Sequence, residues 1–230
     1  MDSKLSLTSK SDKLNMRKEV WIATFAVLFV INVADAEFNN NRGPEETRSV
    51  KEQIAAAVSP APKALRADAK VYGYNENGEF VTLREANSST EIYCISDKPG
   101  DDKFHVACYY KELEPFMARG RALRKQGYNH AEVDSIRRVE IKAGKLKMWT
   151  KPSALYSITG PADSFDYEAM QVEKGKPLYV VYIPHATPES TGLVRSPMGK
   201  GAPWIMEPGM PWAHIMIMPG VDFAKGKSDS

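Results

Sequence analysis

The apolar positions of this chain change period three times after residue 46. From Val50 to Val58 they crowd onto an alanine-rich segment (Ile54, Ala55, Ala56, Ala57) that reads as a short helix, ended by Pro60 and Pro62, which cannot donate the helical hydrogen bond. Alternation then takes over. Residues 69–74 and 79–84 read as strands flanking Asn75, Glu76, Asn77 and Gly78, where Asn-Gly is a hairpin signal. Two further strands surround Cys94 (90–95) and Cys108 (103–110), and the four together predict a β-meander. At Leu113 the period becomes helical: Leu113, Phe116, Met117 and Leu123 recur on one face, Pro115 suits a first turn and Gly127 a C-terminal cap. Asn129 with Glu132 has the spacing of a capping box, and Val133, Ile136 and Ile141 follow on one face up to Gly144. Helices are therefore expected over 113–126 and 130–143.

The last third returns to strands, at 154–158, 177–183, 203–206 and 214–218. Residues 178–183 and 215–218 are apolar on both faces, the pattern of interior strands covered on both sides. Residues 161–176 and 185–202 read as long loops. The fold expected is α+β: a mainly antiparallel β-sheet with two consecutive helices packed on one side.

Only two cysteines are present. Between their strands, Asp97, Lys98, Pro99, Gly100, Asp101 and Asp102 are turn chemistry, and a hairpin centred near Asp101 sets Cys94 directly opposite Cys108. Strand alternation puts Cys94 on the face of Ile92, and Cys108 on that of Phe104 and Val106. A Cys94–Cys108 disulfide is expected. The other readings are two buried thiols or a metal pair, which lacks the companion ligands zinc requires.

The N-terminus points to the compartment where that bond would form. Residues 1–19 carry five basic groups, residues 20–31 are an unbroken apolar run, and Ala34 and Ala36 make a small-x-small cleavage site. That is the layout of a secretory signal peptide, with Met16 as a second possible start. The run is shorter than the ~20 residues of a spanning helix, though an uncleaved anchor is the other reading. The expected organisation is a signal peptide over 1–36, a flexible leader over 37–46, one domain over 47–221 and a disordered tail over 222–230. The destination is the periplasm or the exterior by Sec-type export, an oxidising environment, with no stable membrane span after cleavage.

Composition trims the functional classes. The chain has 230 residues, 43% of them hydrophobic and 26% charged, with net charge +2. Removing the first 36 leaves a net of +1, too little for general attraction to nucleic acid. No Gly-x-Ser-x-Gly elbow, phosphate loop or His-Glu-x-x-His helix is present. Arg119, Arg121, Arg124 and Lys125 read as a solvated helix face, and Asn87 as part of a turn.

Four features in order, the helix ending at Pro60, the two-cysteine hairpin, PLYVVYIP at 177–184 and GAPWIMEPGMPWAHIMIMP at 201–219, resemble a family of uncharacterised secreted bacterial proteins. The resemblance spans roughly residues 50–219. It implies secretion, and it carries no activity and no catalytic residue.

The candidate chemistry sits in the last of those blocks. Trp204, Glu207, Trp212 and His214 cluster about a Pro208-Gly209 turn, and His185 ends the strand at 177–183. Pairing of those strands would make a candidate ligand pocket of His185, Trp204, Glu207, Trp212 and His214. The same residues read blandly as a hairpin stiffened by Pro and Trp. Three functional readings stand. The first is a non-enzymatic envelope protein that binds a small ligand or a partner. The second is an enzyme with a His/Glu acid–base site at the 204–214 turn. The third is a copper-binding protein using Met206, Met210, His214, Met216 and Met218, since thioether and imidazole suit copper while methionine also simply fills cores. The cofactor, the ligand and the partner are not specified by the sequence.

Overall fold

The computed structural model describes residues 47–220. The expected signal peptide with Ala34 and Ala36, the leader and the tail over 222–230 lie outside the described residues. Helix α1 (Val50–Val58) begins at a capping box: the Ser49 hydroxyl accepts from the Glu52 N–H, and the Glu52 carboxylate accepts the Ser49 N–H at 2.9 Å. A single turn, α2 (Lys63–Arg66), follows the prolines.

Strands β1 (Lys70–Tyr74), β2 (Phe80–Arg84), β3 (Ile92–Ile95) and β4 (Lys103–Tyr110) come next, then helices α3 (Glu114–Lys125) and α4 (His130–Lys142). Strand β5 (Ser153–Pro161), the short β6 (Phe165–Asp166) and β7 (Gln171–Val172), then β8 (Lys176–Tyr182) lead into the one-turn α5 (Pro188–Thr191), β9 (Trp204–Met206) and β10 (His214–Ile217). The main sheet has eight strands in the order β2-β1-β3-β4-β5-β8-β10-β9, and only β1 and β3 run parallel. The α+β class is as expected. The simple meander is not: β3 joins β1 rather than β2. The burial pattern supplies the reason. Val71 and Gly73 of β1 are buried, whereas no residue of β2 is, so β1 takes the interior place and β2 the edge.

Gly73 is where α1 closes on the sheet. A β-carbon there would come within 2.5 Å of Leu83 and the Gln53 amide oxygen. The Gln53 amide accepts from the Tyr74 N–H and donates to the Tyr74 carbonyl, both at 2.9 Å.

Each face of the sheet has its own cover. Helices α3 and α4 lie over one, where Leu113, Phe116, Leu146, Trp149 and Trp212 pack on Tyr109. Asn129 caps α4 through the expected box with Glu132, and Arg119 pairs with Glu140 at 2.5 Å across the two helices. Arg137 lies buried with its guanidinium 3.8 Å from the centre of the Phe116 ring, and burial pushes its pKa down to about 10. Glu114 accepts from Tyr72 at 3.0 Å, from Arg121 at 2.7 Å and from Tyr109.

On the other face, α1 covers Val71, Cys94 and Cys108. The stretch 161–176 is less of a loop than its composition suggests: the β6–β7 hairpin lays Phe165 on Phe104 at 5.9 Å. One register row on this face reads Cys94, Cys108, Tyr156, Tyr179, Ile217. Cys94 and Cys108 are bonded and wholly buried, while Tyr179 is 39% exposed and Tyr156 and Ile217 are half-buried. The strands expected to be covered on both sides are interior in the sheet order, but this face of them is only half covered. No helix among the described residues is long and apolar enough to cross a membrane.

Candidate functional site

The sheet ends at the β9–β10 hairpin. Its register sets His214 opposite Met206, Ile215 opposite Ile205 and Met216 opposite Trp204. On its other side, β10 sets His214 opposite Tyr182. Met206, His214 and Tyr182 therefore form one row across three strands, with the Tyr182 ring 5.1 Å from the imidazole. Burial raises the Tyr182 phenol to about 12, so it stays protonated at neutral pH.

His214 Nδ1 lies 2.9 Å from the Trp212 carbonyl. A carbonyl only accepts, so Nδ1 carries the proton and the neutral ring presents the lone pair of Nε2. Burial holds the His214 pKa below the usual histidine value, against smaller upward pulls from the Trp212 carbonyl and then from Glu207. His185 is fixed in the same manner, with Nδ1 3.2 Å from the Gly209 carbonyl. Its backbone N–H donates to the Met210 carbonyl at 2.9 Å, and the Gly209 N–H returns to the Ala186 carbonyl at 2.8 Å. These bonds strap the end of β8 onto the turn.

The backbone at this turn is unusual. Among the described residues three non-glycine residues have positive φ, and two of them are His185 at 61° and Glu207 at 51°. Glu207 also precedes Pro208, whose ring drives the preceding residue toward extended backbone. Each left-handed residue of this kind costs on the order of 1–2 kcal/mol.

The five residues of the expected pocket thus gather around one hairpin in different roles. Trp204 and Trp212 are buried, and Trp212 lies 5.8 Å from Phe116, so they anchor the hairpin to the core. His185 and Glu207 are exposed at the turn, and His214 is half-buried on the strand. Glu207 reaches His214 only through space, and among the described residues neither imidazole is hydrogen-bonded to a carboxylate. Of the methionines, Met206 is 37% exposed, Met216 is half-buried two residues beyond His214, Met210 packs with Trp212 and Tyr182, and Met218 follows the end of β10. Among the described residues no three of His, Cys, Asp and Glu gather as a metal site.

Hollows among the described residues lie elsewhere. One of about 480 Å³ runs between α1 and the β1–β2 edge past Gln53, Tyr74 and Val81. Another of about 290 Å³ is lined by Tyr93, Glu112, Lys147 and Trp149. Neither holds a histidine. Tyr182 and the two carbonyls that orient the imidazoles were not singled out in the sequence; the signal for Tyr182 was its place two residues before Pro184, on the strand expected to pair with the one bearing His214. Comparison with models of protein families, with curated proteins and with solved structures gave no match for this chain.

Proposed function

We propose that the protein acts outside the cytoplasm as a non-enzymatic binding protein of the envelope, holding a small ligand at the β9–β10 hairpin. The observation that carries this reading is the left-handed backbone of His185 and Glu207 at one hydrogen-bonded turn. Such strain persists where surrounding contacts over-determine it, and it concentrates at ligand sites. A turn required only to reverse the chain would carry glycine at these positions. The buried Cys94–Cys108 bond supports an oxidising destination. Binding is favoured over acid–base catalysis because the His/Glu pair is not assembled: Glu207 makes no hydrogen bond to His185 or His214 that would orient and activate either imidazole.

The test is a thermal-shift screen of the purified, oxidised chain against a panel of small organic ligands and ions. A compound that raises Tm in the parent but not in His185→Ala or His214→Ala supports the reading. A panel without effect, or shifts that survive both substitutions, would overturn it.

A further inference from the structure

We infer that the ligand of this hairpin is a soft monovalent metal ion, Cu(I), held by the Met206 and Met216 thioethers and Nε2 of His214. This rests on the reading of the hairpin as the binding site and specifies its ligand. Residues directly opposite in an antiparallel pair have β-carbons about 5 Å apart, so the side chains of Met206 and His214 share one point above the ladder. Met216 lies two residues along the same strand, hence on the same face. All three reach that point through flexible or suitably aimed groups. Methionine has three rotatable bonds, and the imidazole is set by its Nδ1 bond to the Trp212 carbonyl, the orienting contact typical of metal-bound histidine.

The donor set selects the metal. Two thioethers and one imidazole suit Cu(I), and they do not suit calcium, magnesium or manganese. Zinc wants thiolate, imidazole or carboxylate in fours, and no three such groups gather among the described residues. Both cysteines are consumed in the disulfide, so no thiolate competes for the ion. Met206 is on the outermost strand and 37% exposed, which opens the site to exchange with solvent.

The test uses the mature oxidised chain with two probes: Ag(I), which needs no reductant, followed by native mass spectrometry, and Cu(I) drawn from a coloured chelator. One equivalent of each is expected to bind. Met206→Leu and Met216→Leu, which conserve volume, should each weaken binding at least tenfold. His214→Ala should do the same, and Met198→Leu should leave binding unchanged. Failure to take Cu(I) from the chelator, or uptake that Met206→Leu does not weaken, overturns the assignment. An organic compound that still raises Tm through His185 and His214 would then show that the hairpin binds something else, so the two readings fail separately.

Discussion

Cys94 faces Cys108 across the β3–β4 ladder, and α1 lies over the pair so closely that Cys108 Sγ is 3.1 Å from the Ala57 carbonyl. Both cysteines are fully buried. The bond spans 14 residues, and the chain-entropy argument for a loop of that length gives about 3 kcal/mol. The double variant Cys94→Ala with Cys108→Ala should lose about that much in urea unfolding. In the native protein the bond should resist a mild reductant and yield only as denaturant exposes it. A thiol count along the urea transition checks both statements.

Gly120 should tolerate no side chain. Alanine in place of a helical glycine ordinarily stabilises by about 1 kcal/mol. Here its β-carbon would fall 1.8 Å from the Arg137 guanidinium, which is itself buried on Phe116 and donates to the Phe116 carbonyl at 2.7 Å. Gly120→Ala should therefore destabilise, by about 1–3 kcal/mol as overpacked cores do. A chemical denaturation curve gives the sign directly.

Glu114 is the acceptor on which Tyr72, Tyr109 and Arg121 converge. Burial is the main cause that lifts both phenols above the ordinary tyrosine range, and Glu114 adds to it. Glu114→Gln keeps the shape and removes the charge opposite Arg121, at an expected cost of about 2 kcal/mol. A double-mutant cycle with Arg121→Met separates the pair from its surroundings, and a coupling near zero would contradict the role given to Glu114.

Acid should weaken the fold through His214. Burial lowers its folded-state pKa below the ordinary 6.5. Above 6.5 it is neutral, folded or unfolded, and its contribution is complete. As pH falls from there through the folded value, the unfolded chain takes up its proton first and stability declines. Tm measured from pH 8 to pH 5 should show the decline, and His214→Gln should reduce its slope.

At Glu207 and His185 the usual order of glycine and alanine should invert. With φ at 51° and 61°, glycine should be more stable than alanine by about 1 kcal/mol, although glycine loses more entropy on folding. Paired Tm measurements on Glu207→Gly and Glu207→Ala, then on the same changes at His185, report the strain without reference to any ligand.

Local chemistry was legible in the sequence. The Asn129–Glu132 box and the turn between Cys94 and Cys108 are each decided within a few residues, and both were found in place. The partner of β3 was not legible, because choosing β1 over β2 depends on which strand α1 buries, a contact between distant segments. Phe165 shows the same limit: only its stacking on Phe104 turns a polar stretch into a hairpin. At the candidate site the residue types were plain, yet the left-handed Glu207 was hidden, since a residue before proline is expected to be extended. The turn it opens is held by backbone bonds between His185 and Met210 and between Gly209 and Ala186, beyond the end of β8.

The Gln53 amide, which gives and takes a hydrogen bond at Tyr74, has a consequence for solubility. Strand β3 pairs with β1 only over Lys70 to Tyr72, and the Ser96 N–H takes the Tyr72 carbonyl beyond it. Past that point β1 would offer a short stretch of unpaired backbone inside the sheet, the kind of template that recruits a foreign strand. A single side-chain amide from α1 occupies it. Unfastening that helix would therefore do more than bare a core: it would open a seed for intermolecular β-aggregation at the end of β1, one strand in from the edge of the sheet.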